Sequence, residues 1–157
     1  MPAVRDLTLD AVRDAARAVA GAHGLDLVVL FGSAARDGFA GARDVDLAVA
    51  GGADSEDGWA YAFESVVSSE FVWRLGAGEV DLVRADRASP LLQAHIARDG
   101  VPVYERQSGA FAEFRAAAER RFEEAWPGYQ AEWEETKRQI RALLPPEPDY
   151  RPWDEPG

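Results

Sequence analysis

The stretch LFGSAARDGFAGARDVDLAVA, Leu30–Ala50, decides the fold. Its first two residues close a continuous apolar run, Leu25–Phe31 (LDLVVLF), which is β-rich and long enough for a buried strand. Gly32–Gly41 is small, polar and Gly-rich, and reads as a loop with room for one helical turn. Asp44–Ala50 (DVDLAVA) then alternates Asp, Asp, Ala against Val, Leu, Val, the period of a second strand with one polar end. On such a strand Asp44 and Asp46 share a face, about 6–7 Å apart along the chain. Two carboxylates so close repel one another unless a cation lies between them. Hard oxygen donors of this kind suit Mg²⁺, which keeps waters and takes further oxygens from substrate phosphates.

Working outward, Asp81 lies in EVDLVR (Glu79–Arg84), where polar Glu79 and Asp81 alternate with apolar Val80 and Leu82 as on a third strand. If that strand pairs beside the second, three carboxylates converge on one face, the arrangement used in two-metal phosphoryl transfer. Gly32 and Ser33 supply the complementary part. A glycine lets backbone approach a phosphate closely, and the serine hydroxyl with free N–H groups donates to phosphate oxygens. Arg36, three residues on, offers a charged fork to the same phosphates. Each element alone is common in turns and solvated strand edges; their order and spacing together carry the information.

The remaining pattern is helical and β. Thr8 is set to cap a helix to His23 that Gly24 ends. Ala60, Phe63, Val67, Phe71 and Leu75 fall near helical spacing, which predicts a helix over 57–75 stopped by Gly76; the competing reading makes Phe71–Leu75 a hairpin strand. Ser89-Pro90 caps a short helix to Arg98, and Val101–Tyr104 reads as an edge strand. Two amphipathic helices follow, one with Phe111, Phe114, Ala118, Phe122 and Trp126 on a face, broken by Pro127-Gly128, the other with Tyr129, Trp133, Ile140 and Leu143. The end from Pro145 is proline-rich and extended. The expected division is 1–106 as the principal domain, 107–144 as helices packing on it, and 145–157 as tail.

Composition bounds the function. With 157 residues and 47% hydrophobic content the chain suits one packed domain. Zero cysteines exclude disulfides, a thiolate zinc site and a cysteine nucleophile, and two histidines cannot make a three-His metal site. Acidic residues number 28 against 17 basic, giving −11, which argues against duplex DNA or an anionic membrane as main partner. An acidic protein with a phosphate substrate needs a metal ion to reverse the local sign. No run of about 18 apolar residues exists, and the N-terminus matches neither a signal nor a transit peptide, so a cytoplasmic protein is expected.

Gly32-Ser33, ten residues, then Asp44-Val45-Asp46, with Asp81 in VDLV, resembles the minimal nucleotidyltransferases (MNT) of the polymerase-β-like superfamily over roughly residues 8–105. The segment LLQAHIARDGVPVYE also resembles the helix and Tyr-containing ending of its antitoxin members. The resemblance implies an α/β (α+β) nucleotidyltransferase fold, a small mixed sheet flanked by helices with a helical C-terminal extension. It implies two Mg²⁺ ions on Asp44 and Asp46, one site completed by Asp81, with the ATP phosphates held by Ser33 and the Gly32 backbone, beside which the spacing sets Arg36. It further implies that Asp81 helps deprotonate an acceptor hydroxyl, and that the acceptor is a tyrosine of a HEPN-domain ribonuclease toxin silenced by adenylylation. Ala34, where many relatives carry Arg, and Arg43, where Ser is frequent, depart from the pattern. Transfer to a small hydroxylated molecule such as an aminoglycoside, and neutralisation by binding alone through Phe111–Leu144, are the competing functions. An oligomer is compatible with every one of them. His95 and His23 read as structural, and the acidic surface suits a basic partner.

Overall fold

The computed structural model describes residues 3–52, 60–76 and 78–144 of the 157. The element order is α1 (Leu9–His23), β1 (Leu25–Phe31), α2 (Gly32–Asp37), β2 (Val45–Gly51), α3 (Ala60–Leu75), β3 (Val80–Arg84), α4 (Pro90–Asp99), β4 (Val101–Glu105) and α5 (Ala110–Leu143). Single 3-10 turns at Val4–Asp6 and Ala85–Arg87 complete it.

Local chemistry sets the boundaries. Thr8 accepts the Ala11 N–H to start α1, and Gly24, left-handed at φ 67°, ends it. Ser89 accepts the Leu92 N–H at the start of α4, with Pro90 in the first turn where its missing N–H costs nothing. Gly32–Gly41, read as a loop with room for one helical turn, contains the six-residue α2.

The sheet has four strands in the order β3-β2-β1-β4. β1 is central and antiparallel to β2 and β4, while β2 and β3 run parallel, so the sheet is mixed as expected. The two faces of the central strands bury different side chains, as the two-residue period requires. Val28, Leu30, Val45, Leu47 and Val49 join Val12, Val19, Val67 and Phe71 of α1 and α3 in one cluster. Leu27, Val29 and Ala48 join Ile96 of α4 and Phe111 of α5 in the other. Helices therefore cover both faces, and a side-chain contact ties α1 to α3: His23 Nε2 lies 2.5 Å from Glu70 Oε2.

One reading is borne out and one corrected. Phe71–Leu75 is helical as expected, not the competing hairpin strand, because Val67, Phe71 and Leu75 form one buried helical stripe against the sheet. The 57–59 start of the expected helix lies outside the described residues. The segment after Gly109 is a single helix, α5, not two, with Pro127 inside it. Proline removes only its own donation to the Glu123 carbonyl, and that residue is exposed, so water can take the carbonyl. The chain divides into two compact units, Met1–Phe122 and Glu123–Gly157. In the first, Phe111 and Phe114 of α5 pack on the second core cluster. In the second, the helix carries i,i+3 ion pairs, Glu134 with Lys137 and Glu135 with Arg138. The expected extended tail lies outside the described residues. Among the described residues no helix is long and apolar enough to cross a membrane.

Candidate active site

Parallel pairing of β2 with β3 sets Asp46 directly opposite Asp81 in register. Valines and leucines on either side explain the register: Val45 with Val80 and Leu47 with Leu82 face the α1/α3 core, which turns both aspartates to the other face. Asp44 stands one residue before β2. One carboxylate oxygen from each of Asp44, Asp46 and Asp81 lies within 4.8 Å of the others. Three carboxylate oxygens without a nitrogen or sulfur donor match a hard divalent cation such as Mg²⁺. Asp44 and Asp46 are partly buried and Asp81 is exposed, so the cluster opens to solvent.

The electrostatics show the strain of that arrangement. Burial first, then the Asp44 and Asp81 carboxylates, hold the Asp46 carboxyl above its ordinary pKa, while the Arg36 guanidinium pulls it down. A bound cation would relieve both upward effects at once.

The turn from β1 into α2 meets the same carboxylate. Phe31, the last residue of β1, pairs with Asp46 across the antiparallel ladder, which places Gly32 beside the Asp46 side chain. Gly32 is left-handed at φ 71°, and a Cβ there would overlap Asp46 Oδ2. Only glycine satisfies both the backbone conformation and the close approach. Ser33 follows in the first turn of α2, half-buried.

Arg36 is on the same short helix, half-exposed, with its Nη1 3.7 Å from Asp99 Oδ2 at the end of α4. Asp99 in turn is held by Arg98, 3.0 Å away. Thus the structure brings Asp44, Asp46 and Asp81 together within 4.8 Å, oxygen to oxygen, with Gly32 against Asp46 and Ser33 adjoining it in the chain. Arg36 reaches the cluster through its field and an ion pair of its own. Sequence reading missed Asp99, and nothing local signals it, since it pairs across 63 residues. His95 takes no part in the cluster: its Nδ1 lies 3.4 Å from Arg98 on the exposed side of α4. Beside Asp81 a shallow groove is lined by Glu64, Ser65, Ser68 and Leu82.

The fold is similar to that of solved structures. The toxin–antitoxin complex MntA-HpeT, in a point-mutant form, contains a chain with TM-score 0.67 and 20% identity, covering 84% of this chain and 99% of that one. A toxin–antitoxin structure with AMP-PNP gives TM-score 0.66 at 22% identity, covering 83% and 99%. A tri-AMPylated Shewanella oneidensis HEPN toxin in complex with MNT antitoxin gives 0.63 at 20%, covering 85% and 98%. At these identities the likeness is one of fold. No curated protein sequence matches. The β-strands, the turn at Gly32 and all three aspartates lie within residues 17–109, which match the family described as Polymerase beta, Nucleotidyltransferase. That match spans more than half of the chain, and the protein belongs to this nucleotidyltransferase family.

Proposed function

We propose that the protein is a Mg²⁺-dependent adenylyltransferase that transfers AMP from ATP to a hydroxyl of a HEPN-type ribonuclease toxin, and so acts as its antitoxin. The observation that carries the chemistry is the in-register pairing of Asp46 with Asp81 beside Asp44, against the glycine turn. The choice of acceptor is supported by the similar fold of an MNT antitoxin in complex with a tri-AMPylated HEPN toxin. The nucleotide choice is supported by the similar structure with AMP-PNP.

In this reading Asp44, Asp46 and Asp81 would hold two Mg²⁺ ions. Bound there, the ions neutralise triphosphate charge and ease departure of pyrophosphate. The chain's own groups do the rest. Ser33 Oγ and the backbone N–H groups opening α2 donate to the β- and γ-phosphate oxygens, a role the close-packed Gly32 permits. Arg36 exchanges its solvent-exposed contact with Asp99 for a phosphate oxygen. Asp81, the exposed carboxylate, accepts the proton of the acceptor hydroxyl. The acceptor oxygen forms its bond to the α-phosphorus as the α–β bridging P–O bond breaks, and pyrophosphate leaves with that electron pair.

The test is incubation with labelled ATP, Mg²⁺ and a HEPN toxin. The expected result is label on a toxin tyrosine and loss of ribonuclease activity, both abolished by Asp44→Ala or Asp46→Ala. Undiminished neutralisation by those variants would replace the reading with stoichiometric binding. Label on an aminoglycoside with none on protein would replace the acceptor.

A further inference from the structure

The outer side of α3 is apolar where a solvated helix is expected to be polar. Val67, Phe71 and Leu75 bury one stripe against the sheet, yet the opposite side carries Val66, Ser69 and Trp73 at steps of three and four. Val66 is 55% exposed and Trp73 78%. The three form a ridge with a groove on either flank. On the β3 side the groove is lined by Glu64, Ser65, Ser68, Asp81 and Leu82. On the α1 side it is lined by Ala11, Asp14, Ala15, Trp73 and Arg74. All of these residues belong to the first compact unit, Met1–Phe122. Trp73 is also held in place. The Arg74 guanidinium lies 5.7 Å from its ring centroid, and Arg74 Nε donates to Glu70 Oε1 at 3.1 Å. Contact with His23, ahead of Arg74, keeps the Glu70 carboxyl below its ordinary pKa, so it remains ionised and anchors Arg74. An indole fixed beforehand loses little entropy when a partner covers it.

We infer that this ridge is where the protein acceptor docks, Trp73 entering an apolar pocket of the acceptor while the acceptor's hydroxyl lies in the β3-side groove at Asp81. The inference rests on the proposed transfer to a protein hydroxyl. Three observations select that occupant. The first is continuity. Ser65 borders the groove that contains Asp81, and Trp73 stands further along the same helix, about 12 Å away at 1.5 Å per residue. A protein that brings a hydroxyl to Asp81 therefore overlies the ridge. The second is shape. Small molecules bind in concave sites, so an aminoglycoside would fill the groove and leave Trp73 bare, whereas tryptophan is among the side chains most enriched as anchors between proteins. The third is charge. Glu64, half-buried in the groove, makes no hydrogen bond or ion pair among the described residues, and Glu79 is exposed just before β3. With Asp81 they make the groove acidic. That suits a basic residue beside the acceptor hydroxyl, and it opposes a second copy of a chain that carries −11.

The test is transfer from labelled ATP with Mg²⁺ to the HEPN toxin across a series of toxin concentrations. Trp73→Ala should lower kcat/KM for the toxin by roughly 30-fold, the scale of one truncated interface anchor. The loss should fall on KM, with kcat at saturating toxin, KM for ATP and Tm unchanged. Trp73→Phe, which keeps a ring, should restore most of it. Calorimetric titration of toxin into the Asp44→Ala protein reads docking apart from chemistry: binding should persist there and weaken by a similar factor when Trp73→Ala is added. A Trp73→Ala protein that labels and binds toxin as the wild type does overturns the inference and leaves the transferase reading standing. Conversely, a wild type that labels no toxin, with binding still lost in Trp73→Ala, overturns the transferase reading and supports the docking surface. A loss confined to kcat overturns the inference by assigning Trp73 to the chemistry. So does a wild-type dimer that Trp73→Ala dissociates with kcat/KM unchanged, which would give the ridge to a second copy.

Discussion

At the scale of single residues, Asp46 is pulled in opposite directions by stability and by chemistry. Burial and two neighbouring carboxylates raise its pKa above the ordinary 3.8, so the folded state binds this proton more tightly than the unfolded chain. Stability of the cation-free protein from this group is therefore lost as pH rises from 3.8 through the raised value. Asp46→Asn removes the charge and the effect. In chelator near neutral pH the variant should melt above the wild type, with a flatter pH dependence in that window, while transfer falls by on the order of 10²–10³-fold. Melting curves with and without Mg²⁺ decide it: a variant that melts lower in chelator contradicts the argument. Mg²⁺ at 100 times its dissociation constant should stabilise the wild type by about 2.7 kcal/mol and Asp46→Asn by far less. Gly32→Ala tests the turn. Left-handed backbone alone costs an alanine about 1–2 kcal/mol, and the overlap with Asp46 Oδ2 adds to it. A fall of at least about 2–8 °C in Tm is expected, together with loss of Mg²⁺ stabilisation. Calorimetry showing an unchanged Tm would mean the turn can relax. The carboxylate triad was legible in sequence because a strand's period is local and puts Asp44 and Asp46 on one face. The Asp46–Asp81 register was not legible, being decided by how β3 docks. The Arg36–Asp99 pair depends on the approach of two helices, which no short-range pattern encodes.

At the scale of elements, the strands and caps followed from local pattern, and ambiguity arose where two local rules competed. Phe71–Leu75 has the β-branched and aromatic content that allowed a strand, yet its helical spacing with Val67 carries the expected helix, which buries Phe71 against the sheet. Phe71 has no exposed surface, so Phe71→Ala should cost about 3–5 kcal/mol. Urea unfolding would show it as a lowered midpoint at unchanged m-value; a cost under 1 kcal/mol would mean that α3 is not a principal wall of the core. Pro127-Gly128 reads locally as a stop, but a proline within an exposed turn deletes one hydrogen bond that water replaces, and α5 continues past it. Two buried polar groups were also invisible beforehand. Gln93, 2% exposed, donates to the Ala85 carbonyl at 2.8 Å and accepts from Arg121 at 3.1 Å, joining α4 to the 3-10 turn after β3 and to α5. Arg84, 5% exposed, donates to the Gly51 carbonyl at 3.1 Å and lies over the Phe63 ring at 5.0 Å. Both sit in helix or strand positions where sequence pattern alone favours a solvated side chain.

At the scale of the whole molecule, the −11 charge has two separable consequences. Around the triad, in the proposed function, it calls for a cation before a triphosphate can bind, a local effect that the partial burial of Asp44 and Asp46 shields from salt. Over the rest of the surface it acts at long range on whatever brings the acceptor hydroxyl, and that part is fully open to screening. The two therefore respond differently to ionic strength. For a basic protein acceptor, raising monovalent salt from about 10 mM to 500 mM should slow association by at least roughly tenfold, the lower end of electrostatic steering. Turnover of the preformed complex should stay nearly constant over the same range. In kinetic terms kcat/KM for the acceptor falls while kcat holds, and KM for the nucleotide at saturating Mg²⁺ changes little. Stopped-flow association and steady-state rates measured on one salt series separate these quantities. An association rate that is flat or rises with salt would mean the acceptor meets a neutral or basic part of this surface. The acidic excess would then concern solubility alone, with the triad's requirement for a cation unchanged.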